Sequence, residues 1–407
     1  MEELKQIKNL GDSANQSTIK SANRELVFDV LNAVGKCSRT QLAKLTGLTK
    51  TSITNITGEM IEERIIKEGK TTGEGVGRRQ VLLEISSDSP RAIGVSVNRS
   101  AVFVCLMNLK GEMYYQKDIP LAAKETTKSF LKKVFDGCRG AIAANGDNPL
   151  LGIGVASIGP LDLKAGTILS PPNFKGLKNI AIVSALKEQF GLAAYLDNDM
   201  NASAIMEKLF GYGKGLNNFI YVGVTQGVGA GVVYDRKLYA GSNGFAGEVG
   251  HISIDHHGRP CQCGSRGCLE TYASIPAIEQ EAEKRLAQGA KGSLAARKKV
   301  RWEDIVRAAK EGDALANELI GKMVDYLAAA FVTLCNMHDP QVIFLGHEIV
   351  IAGDLVIRPL KEKVNRMIFS KEFSEVDIKI SYSKDKAYRY NGAAVLINKY
   401  INGEMTG

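Results

Sequence analysis

The sequence predicts an α/β fold for most of the chain, preceded by a small helical domain that ends in a β-hairpin. From Arg91 onward, short runs rich in valine, isoleucine and glycine alternate with helical stretches, which is typical of α/β proteins. Before Arg91, apolar residues recur at helical spacing, and a glycine-rich tip separates two β-prone runs. The length of 407 residues, at roughly 150 residues per domain, allows two or three domains.

Changes in composition divide the chain into four segments. The first is polar and lacks periodicity, which predicts a disordered N-terminus. The second is predicted to be a winged helix-turn-helix domain of three helices and a hairpin, and the third is a short linker. The fourth is the α/β domain. The predicted bounds are 1–17, 18–85, 86–90 and 91–407.

Small and apolar residues at fixed spacing indicate the helix-turn-helix. Ala43 stands where two helices cross, Gly47 permits the sharp turn, and Leu48 and Ile53 fill the space between the helices. Residues 36–58 contain four basic and no acidic side chains, although the first 90 residues are almost balanced in charge. This local charge favours binding of double-stranded DNA over the alternative, a three-helix bundle that binds protein.

The predicted DNA contacts are polar side chains at the start of the third helix, together with basic residues around it. Short polar side chains near a helix N-terminus suit base edges and phosphates. Two arginines of the wing reach the minor groove or the phosphates, or else form a solvated charge pair at the domain junction. The predicted contacts are Arg39, Lys50, Thr51, Ser52, Thr54, Asn55, Arg78 and Arg79.

Seven runs in the α/β domain are predicted to be strands. Glycine turns after strands occur twice, near Gly154 and near Gly223, which predicts two related lobes with a cleft between them. The predicted strands are 92–97, 101–107, 151–156, 194–197, 219–224, 229–234 and 341–345.

Membrane and secreted classes are excluded by composition. No run approaches about 18 consecutive apolar residues, and the polar N-terminus lacks the apolar segment of a signal peptide. We therefore expect a cytoplasmic protein with no membrane association. The seven cysteines argue against a disulfide framework, because their number is odd and no secretion signal is present.

Three of those cysteines lie within eight residues of one another and predict a metal site. Cys261, Cys263 and Cys268 supply three thiolates, and one imidazole completes the tetrahedral set that Zn²⁺ prefers. The imidazole comes from His251, His256 or His257. Because four protein ligands leave no position for water, the zinc is predicted to be structural, held by a loop at 247–270.

The motif Gly-His followed by Cys-x-Cys-Gly-x-x-Gly-Cys-Leu-Glu resembles the ROK family, which contains bacterial sugar-operon repressors and sugar kinases. The resemblance extends over essentially all 407 residues, including the helix-turn-helix of the repressor branch, and is nearest to xylose-repressor types. It implies a two-lobed sugar-kinase/actin-like (ribonuclease H-like) fold. It also implies that His251 is the fourth zinc ligand and that His256 and His257 are solvated.

The resemblance further implies a sugar site made of carboxylates and amides, which bridge adjacent hydroxyl groups. A zinc-bound imidazole adds a donor, because its second nitrogen can bind a sugar hydroxyl. Asp197, next to this set, is expected to be exposed or structural. The implied sugar ligands are Asn173, Asn198, Asp199, Glu248, His251 and Glu270.

Kinase activity is not expected, although Asp199 resembles the catalytic base of the family's kinases. Those kinases carry Asp-x-Gly-Gly-Thr after the first strand, and this chain has Ser96 for the aspartate and Asn98 and Arg99 for the glycines. The glycine pair expected near the adenine reads Gly346-His347. A second glycine-rich stretch at 223–231 is either a phosphate loop or a tight turn.

These features together predict a sugar-responsive repressor of a carbohydrate-utilisation operon. A homodimer or homotetramer would present its winged helices to a palindromic operator, and the sugar would alter their spacing by closing the lobes. Sequestration by a partner protein is a second mode within the family. The effector stays open among xylose, glucose, N-acetylglucosamine, its phosphate, allose and others. The alternative function is an ATP-dependent sugar kinase that carries a DNA-binding domain.

Overall fold

The computed structural model describes residues 16–72, 80–384 and 389–405. The chain divides into two compact units. The first comprises Met1–Leu196 together with Gly392–Gly407, and the second comprises Asp197–Asn391. The division therefore lies inside the predicted α/β domain and not at its start.

The first unit begins with the predicted three helices and wing. The first helix starts at Gln16, two residues before the end of the segment predicted to be disordered. The short strand β1 was not predicted, because three residues carry no readable periodicity. The elements are α1 (Gln16–Val34), β1 (Lys36–Ser38), α2 (Arg39–Thr46), α3 (Lys50–Glu62), β2 (Ile66–Thr72) and β3 (Gln80–Ile85), with sheet order β1-β3-β2.

Capping residues fix the helix-turn-helix. Ser38 accepts a hydrogen bond from the backbone of Gln41, whose side chain accepts one from Ser38 in return, a capping box that starts α2. Gly47 ends α2 in the left-handed conformation with φ 73°, and Thr49 caps α3. The apolar faces then meet in a small core of Phe28, Leu31, Leu42, Ile53, Met60 and Leu83.

The segment predicted to be a linker is packed on both of its neighbours. The backbone N–H of Ser86 donates to the carbonyl of Ile65 beside the wing. On the other side, Ser89 is buried, and its hydroxyl accepts a hydrogen bond from the backbone of Leu109. The connection between the winged helix and the first sheet is thus held by hydrogen bonds on both sides.

The first unit also contains a five-stranded sheet with order β10-β7-β4-β5-β6. Strands β4 and β5 pair antiparallel, with Ser96 opposite Phe103, whereas β4 and β7 are parallel. The elements are β4 (Arg91–Val97), β5 (Ala101–Asn108), β6 (Met113–Pro120), α4 (Thr127–Asn145), β7 (Leu150–Ser157), β8 (Leu161–Asp162), β9 (Thr167–Ile168), α5 (Ile182–Phe190) and β10 (Ala194–Asn198).

The second unit has a sheet of order β13-β12-β11-β14-β15. No helix among the described residues is both long and apolar enough to cross a membrane. The elements are α6 (Asp199–Phe210), β11 (Phe219–Val224), β12 (Val228–Tyr234), β13 (Lys237–Leu238), α7 (Glu270–Ala273), α8 (Ile275–Ala287), α9 (Trp302–Lys310), α10 (Ala314–His338), β14 (Val342–Gly346), α11 (Asp354–Met367) and β15 (Asp377–Ile380), with 3-10 turns at Val249–His251, Ser293–Ala296 and His347–Ala352. The last helix, α12 (Asn391–Ile401), belongs to the first unit from Gly392 onward.

The two sheets share one plan, a three-stranded meander followed by two strands added beside the first strand. This agrees with two related lobes, but the glycines that suggested them are not equivalent. Gly154 lies within β7, the fourth strand of its sheet, whereas Gly223 lies within β11, the first. Both glycines lie inside strands and not in the turns after them. A Cβ atom at Gly154 would collide with the start of the last helix, and one at Gly223 with Met200 and His347.

The start of α12 lies directly against the first sheet. A Cβ atom added at Gly392 would be 2.5 Å from the carbonyl oxygen of Val95, and one added at Gly154 would collide with the carbonyl oxygen of Gly392. The backbone N–H of Gly392 donates to the hydroxyl of Ser96 at 3.1 Å. Because the backbone of the helix packs directly on the backbone of the strands, there is no room for a side chain at Gly154 or Gly392.

Gly154→Ala is therefore expected to destabilise the protein by about 1–3 kcal/mol, since overpacking forces backbone shifts. The urea midpoint of unfolding measures this loss. Gly321→Ala is the control, because a Cβ atom at Gly321 in α10 meets nothing within 4 Å. That variant should be unchanged or gain up to about 1 kcal/mol. Equal midpoints for the two variants would contradict the packing described here.

The other end of α12 contacts the winged helix. The hydroxyl of Tyr400 donates to the carboxylate of Glu63 at 2.8 Å, and Arg24 holds the same carboxylate with two hydrogen bonds of 2.8 and 2.6 Å. Burial, followed by the neighbouring Glu63, raises the pKa of Tyr400 to about 12, so the phenol stays protonated as a donor. Glu63 is the C-terminal cap of α3, and this contact therefore fixes the end of that helix.

Candidate functional site

Four side chains of the second unit converge as the sequence predicts for a metal site. The ligand atoms of His251, Cys261, Cys263 and Cys268 all lie within 4.8 Å of one another. Of the three candidate histidines, only His251 belongs to this cluster. His256 and His257 are exposed and lie with their rings 4.0 Å apart.

Glycines let the loop close around these ligands. Gly264 and Gly267 have φ values of 93° and 70°, and a side chain at Gly267 would collide with the carbonyl of Asp255. The backbone N–H of Cys261 donates to the carbonyl of Ser265, and that of Gly264 donates to the carbonyl of Cys261, which forms a tight turn that begins at Cys261 and contains Cys263. His251 comes from the 3-10 turn that precedes the loop.

The spacing of the donors fits a tetrahedral ion. The sulfur atoms of Cys263 and Cys268 are 3.7 Å apart, and the sulfur of Cys261 lies 3.7 Å from Nδ1 of His251. Metal–sulfur bonds of about 2.3 Å at tetrahedral angles place two sulfurs about 3.8 Å apart. The donor set and its spacing can therefore hold a metal ion.

The pKa values of the cysteine thiols in the cluster are shifted in opposite directions. A backbone hydrogen bond from Ser265 is the main cause that lowers the pKa of Cys263 to about 7, whereas burial raises the pKa of Cys261 to about 12. The thiolate of Cys261 therefore requires a cation beside it, which a divalent metal supplies.

Two of the predicted sugar ligands flank the metal cluster. Oε1 of Glu270 lies 3.2 Å from the sulfur of Cys261 and 3.7 Å from Nδ1 of His251. Desolvation raises the pKa of Glu248, and the charge of Glu270 raises it further while His251 opposes the shift. Glu270 thus lies beside the cysteines and His251, and Glu248 immediately precedes the 3-10 turn that carries His251.

Asn198 and Asp199 lie where β10 joins α6. Asn198 caps the helix, accepting a hydrogen bond from the backbone of Met200 at 2.9 Å, and Asp199 accepts one at 3.0 Å from the same N–H. Asp197 is structural, as expected, because its carboxylate accepts hydrogen bonds from the backbone of Asn198 and the side chain of Asn201.

The hairpin β11–β12 lies beside both parts of the candidate site in the second unit. Met200, next to Asp199, packs on Gly229, and a Cβ atom at Gly227 would be 3.2 Å from Oε2 of Glu270. The stretch 223–231 contains the end of β11, a turn in which the backbone N–H of Thr225 donates to the carbonyl of Gly227 at 2.8 Å, and the start of β12.

Asn173 belongs to the first unit, in an exposed segment with φ 57°. It is followed by Phe174, which is buried against Phe130 with the ring centroids 5.8 Å apart. The left-handed backbone, which asparagine tolerates, holds Asn173 at the surface.

Sequence reasoning missed Asn391. Its side-chain amide donates to the carbonyl of Asp199 at 3.1 Å and to the hydroxyl of Ser203 at 3.2 Å. The amide therefore fixes the first turn of α6, which carries Asp199. No local pattern signals this contact, because 192 positions separate Asn391 from Asp199.

His347 fills the position where the resemblance expects a second glycine. It has φ 68° and packs edge-on against Tyr221, with the ring centroids 6.0 Å apart. A Cβ atom at Gly223 would lie 2.7 Å from its ring. Burial lowers the pKa of His347 to about 4, so the imidazole is neutral at physiological pH.

The predicted DNA contacts of α3 divide into two groups. Lys50, Thr51, Thr54 and Asn55 have exposed side chains, whereas Ser52 is half-buried and bonds with Thr49 in the helix cap. Exposed side chains at the start of a recognition helix are available to bases and phosphates.

The basic residues outside α3 have different surroundings. Arg39 is tied to Glu68 of the wing by an ion pair of 2.9 Å and donates to the hydroxyl of Thr57 at 3.1 Å. Arg78 and Arg79 lie outside the described residues.

Comparison with known proteins assigns the family. The model of the ROK family matches residues 92–400. The xylose repressor of Caldicellulosiruptor bescii is 31% identical over 401 residues, covering 95% of this chain and 98% of the relative. The DNA-binding transcriptional dual regulator NagC of Escherichia coli (strain K12) is 30% identical over 362 residues, covering 86% of each chain.

Solved structures agree with the sequence relatives. The crystal structure of a ROK family transcriptional regulator, described as a homologue of the E. coli MLC protein, aligns with a TM-score of 0.80 at 28% identity, covering 95% of this chain and 98% of that one. A ROK family glucokinase from Streptomyces griseus aligns with a TM-score of 0.64 at 24% identity, covering 74% of this chain and 98% of its own, which shows the shared fold. The predicted fold class is confirmed. The chain belongs to the ROK family, and over nearly its whole length it resembles the transcriptional repressors of that family.

Proposed function

We propose that this protein is a cytoplasmic repressor of a carbohydrate operon, in which the α/β domain binds a sugar beside a structural zinc ion. The observation that carries the proposal is the position of His251, whose Nδ1 faces the cysteines while Glu248 and Glu270 lie next to it. Repressors aligned over nearly the whole chain, including the winged helix, support the DNA-binding half of the proposal.

Zinc would couple the metal cluster to sugar recognition. With Nδ1 of His251 bound to the ion, Nε2 carries the proton and can donate to a sugar hydroxyl. The carboxylates of Glu248 and Glu270, with Asn198, Asp199 and Asn173, would accept or donate the remaining hydrogen bonds. A zinc ion held by the three cysteines and His251 would be structural, because four protein ligands would leave no open position for catalysis.

The absence of kinase activity is part of the proposal. In the turn that replaces the family's first phosphate loop, the side chain of Asn98 accepts hydrogen bonds from the backbone of Ser100 and Ala101. Those N–H groups are then not directed at a nucleotide. His347 supports the same conclusion, since its ring packs on Tyr221 where the kinases have a glycine.

One experiment tests both parts. The purified chain is heated with a panel of sugars that begins with D-xylose and N-acetylglucosamine, the sugars named in the relatives' descriptions. A true effector at 100 times its Kd stabilises the protein by about 2.7 kcal/mol, which raises the melting temperature. The same panel with ATP and Mg²⁺ should give no sugar phosphate. Turnover would favour the kinase alternative, for which the retained Asp199 is the supporting feature.

Operator release defines the regulatory role. We propose a homodimer or homotetramer whose paired winged helices bind a palindrome with half-sites about 34 Å apart. Sedimentation measures the assembly, and the stabilising sugar should lower operator affinity in a gel-shift titration. A sugar that raises operator affinity would instead make it a corepressor.

A further inference from the structure

The turn between β4 and β5 is closed by one side chain. Oδ1 of Asn98 accepts hydrogen bonds from the backbone of Ser100 at 2.9 Å, from its hydroxyl at 3.0 Å and from the backbone of Ala101 at 2.8 Å. The backbone N–H of Asn98 in turn donates to the carbonyl of Ala101 at 3.1 Å. These bonds fix the direction in which the next side chain, Arg99, leaves the turn.

Arg99 reaches a segment 73 positions away in the sequence. Its Nε donates to the carbonyl oxygen of Pro172 at 2.9 Å. That carbonyl belongs to the peptide that joins Pro172 to Asn173, so the bond restrains the backbone immediately before Asn173.

The backbone after Asn173 is restrained by packing. Phe174 is 2% exposed and meets Phe130 edge-on. Asn173, in the left-handed conformation, thus stands between a hydrogen-bonded peptide and a buried aromatic ring. Fixing the backbone that carries a ligand-binding side chain before the ligand arrives lowers the entropy lost on binding.

We infer that Arg99 is a positioning residue for effector recognition, which braces the segment that presents Asn173 to the sugar. This inference rests on the proposed sugar site. Asn98 and Arg99, which stand where the family's kinases have two glycines, would thus have two effects. Arg99 would hold the segment that carries Asn173, and Asn98 would bind the backbone N–H groups that would otherwise be available to a phosphate.

Hydrogen–deuterium exchange of the full chain tests the brace without any sugar. Arg99→Ala is expected to raise exchange in peptides covering residues 168–180 and to leave the zinc loop unchanged. Arg139→Ala, an exposed arginine of α4 paired with Asp136, is the control and should change neither region. Unchanged exchange at 168–180 in Arg99→Ala would overturn the inference.

Sugar affinity tests the consequence. For the sugar that most stabilises the wild type, Arg99→Ala should weaken binding about tenfold, the loss of one charge-assisted hydrogen bond. Zinc content and operator affinity without sugar should stay at wild-type values, and Arg99→Lys, which keeps a long N–H donor, should recover part of the affinity. Wild-type affinity in Arg99→Ala would overturn the positioning role. A wild-type protein that binds no sugar would refute the proposed function. The exchange experiment would still show whether Arg99 restrains residues 168–180.

Discussion

Cys268→Ser is expected to remove the bound metal and, together with it, sugar binding. Cys268 is fully buried, and its sulfur lies 3.7 Å from that of Cys263, so a hydroxyl at this position lacks both the charge and the reach of a thiolate. Structural zinc contributes about 10–16 kcal/mol of apparent binding energy, and most of it depends on the complete ligand set. Without the ion, the imidazole of His251 would lose the metal bond proposed to orient it beside Glu270.

The measurements are metal analysis and the melting-temperature shift with the effector. We expect wild-type protein with about one zinc per chain, and a variant with little zinc and no shift. Cys138→Ala is the control, because Cys138 is also fully buried but lies in α4, outside the cluster. A zinc-free Cys268→Ser protein that binds sugar with wild-type affinity would refute the coupling between metal and sugar.

Replacement of Lys50 and Asn55 by alanine is expected to abolish most operator binding. The loss of Lys50 would weaken contacts with the phosphates, and the loss of Asn55 would weaken contacts with the bases. Both side chains are exposed on α3. If Lys50 contacts a phosphate, its loss weakens binding to all sequences and lowers the salt slope by about 1. If Asn55 reads a base, its loss costs about 1–3 kcal/mol and relaxes specificity at one position.

Fluorescence anisotropy with operator and scrambled DNA at several salt concentrations separates these effects. Lys128→Ala is the matched control, since Lys128 is an exposed lysine of α4 in the same unit. Its operator affinity should stay at the wild-type value. Wild-type affinity in the Lys50→Ala/Asn55→Ala double variant would show that α3 does not read the operator.

Local chemistry in the sequence sufficed for the winged helix and the metal loop. Gly47 was predicted to permit the turn after α2, and in the structure it ends that helix in the left-handed conformation, because helix capping depends only on neighbouring residues. The three cysteines lie within eight residues of one another, so the short segment between them keeps their side chains close together in any compact conformation. Choosing His251 from residues alone was not feasible, since three histidines had suitable spacing.

Strand prediction succeeded where burial was continuous and failed where it was not. The seven predicted strands are all present, because buried β-rich runs are readable from composition. β6 was missed because most of its side chains are exposed, and β15 because it has only four residues. Polar or very short strands acquire their conformation from pairing with a neighbour.

By itself, the sequence determined the three helices before the first sheet, the strands that are mostly buried, the cluster of three cysteines and the family, since each depends on residues close together along the chain. Only the tertiary structure decided which distant groups meet: Arg99 with Pro172, Asn391 with Asp199, and Glu63 with Tyr400. The physical reason is that a single hydrogen bond between remote segments leaves no periodic trace in the sequence. Such contacts form only after the sheets and helices have packed and brought those segments within bonding distance.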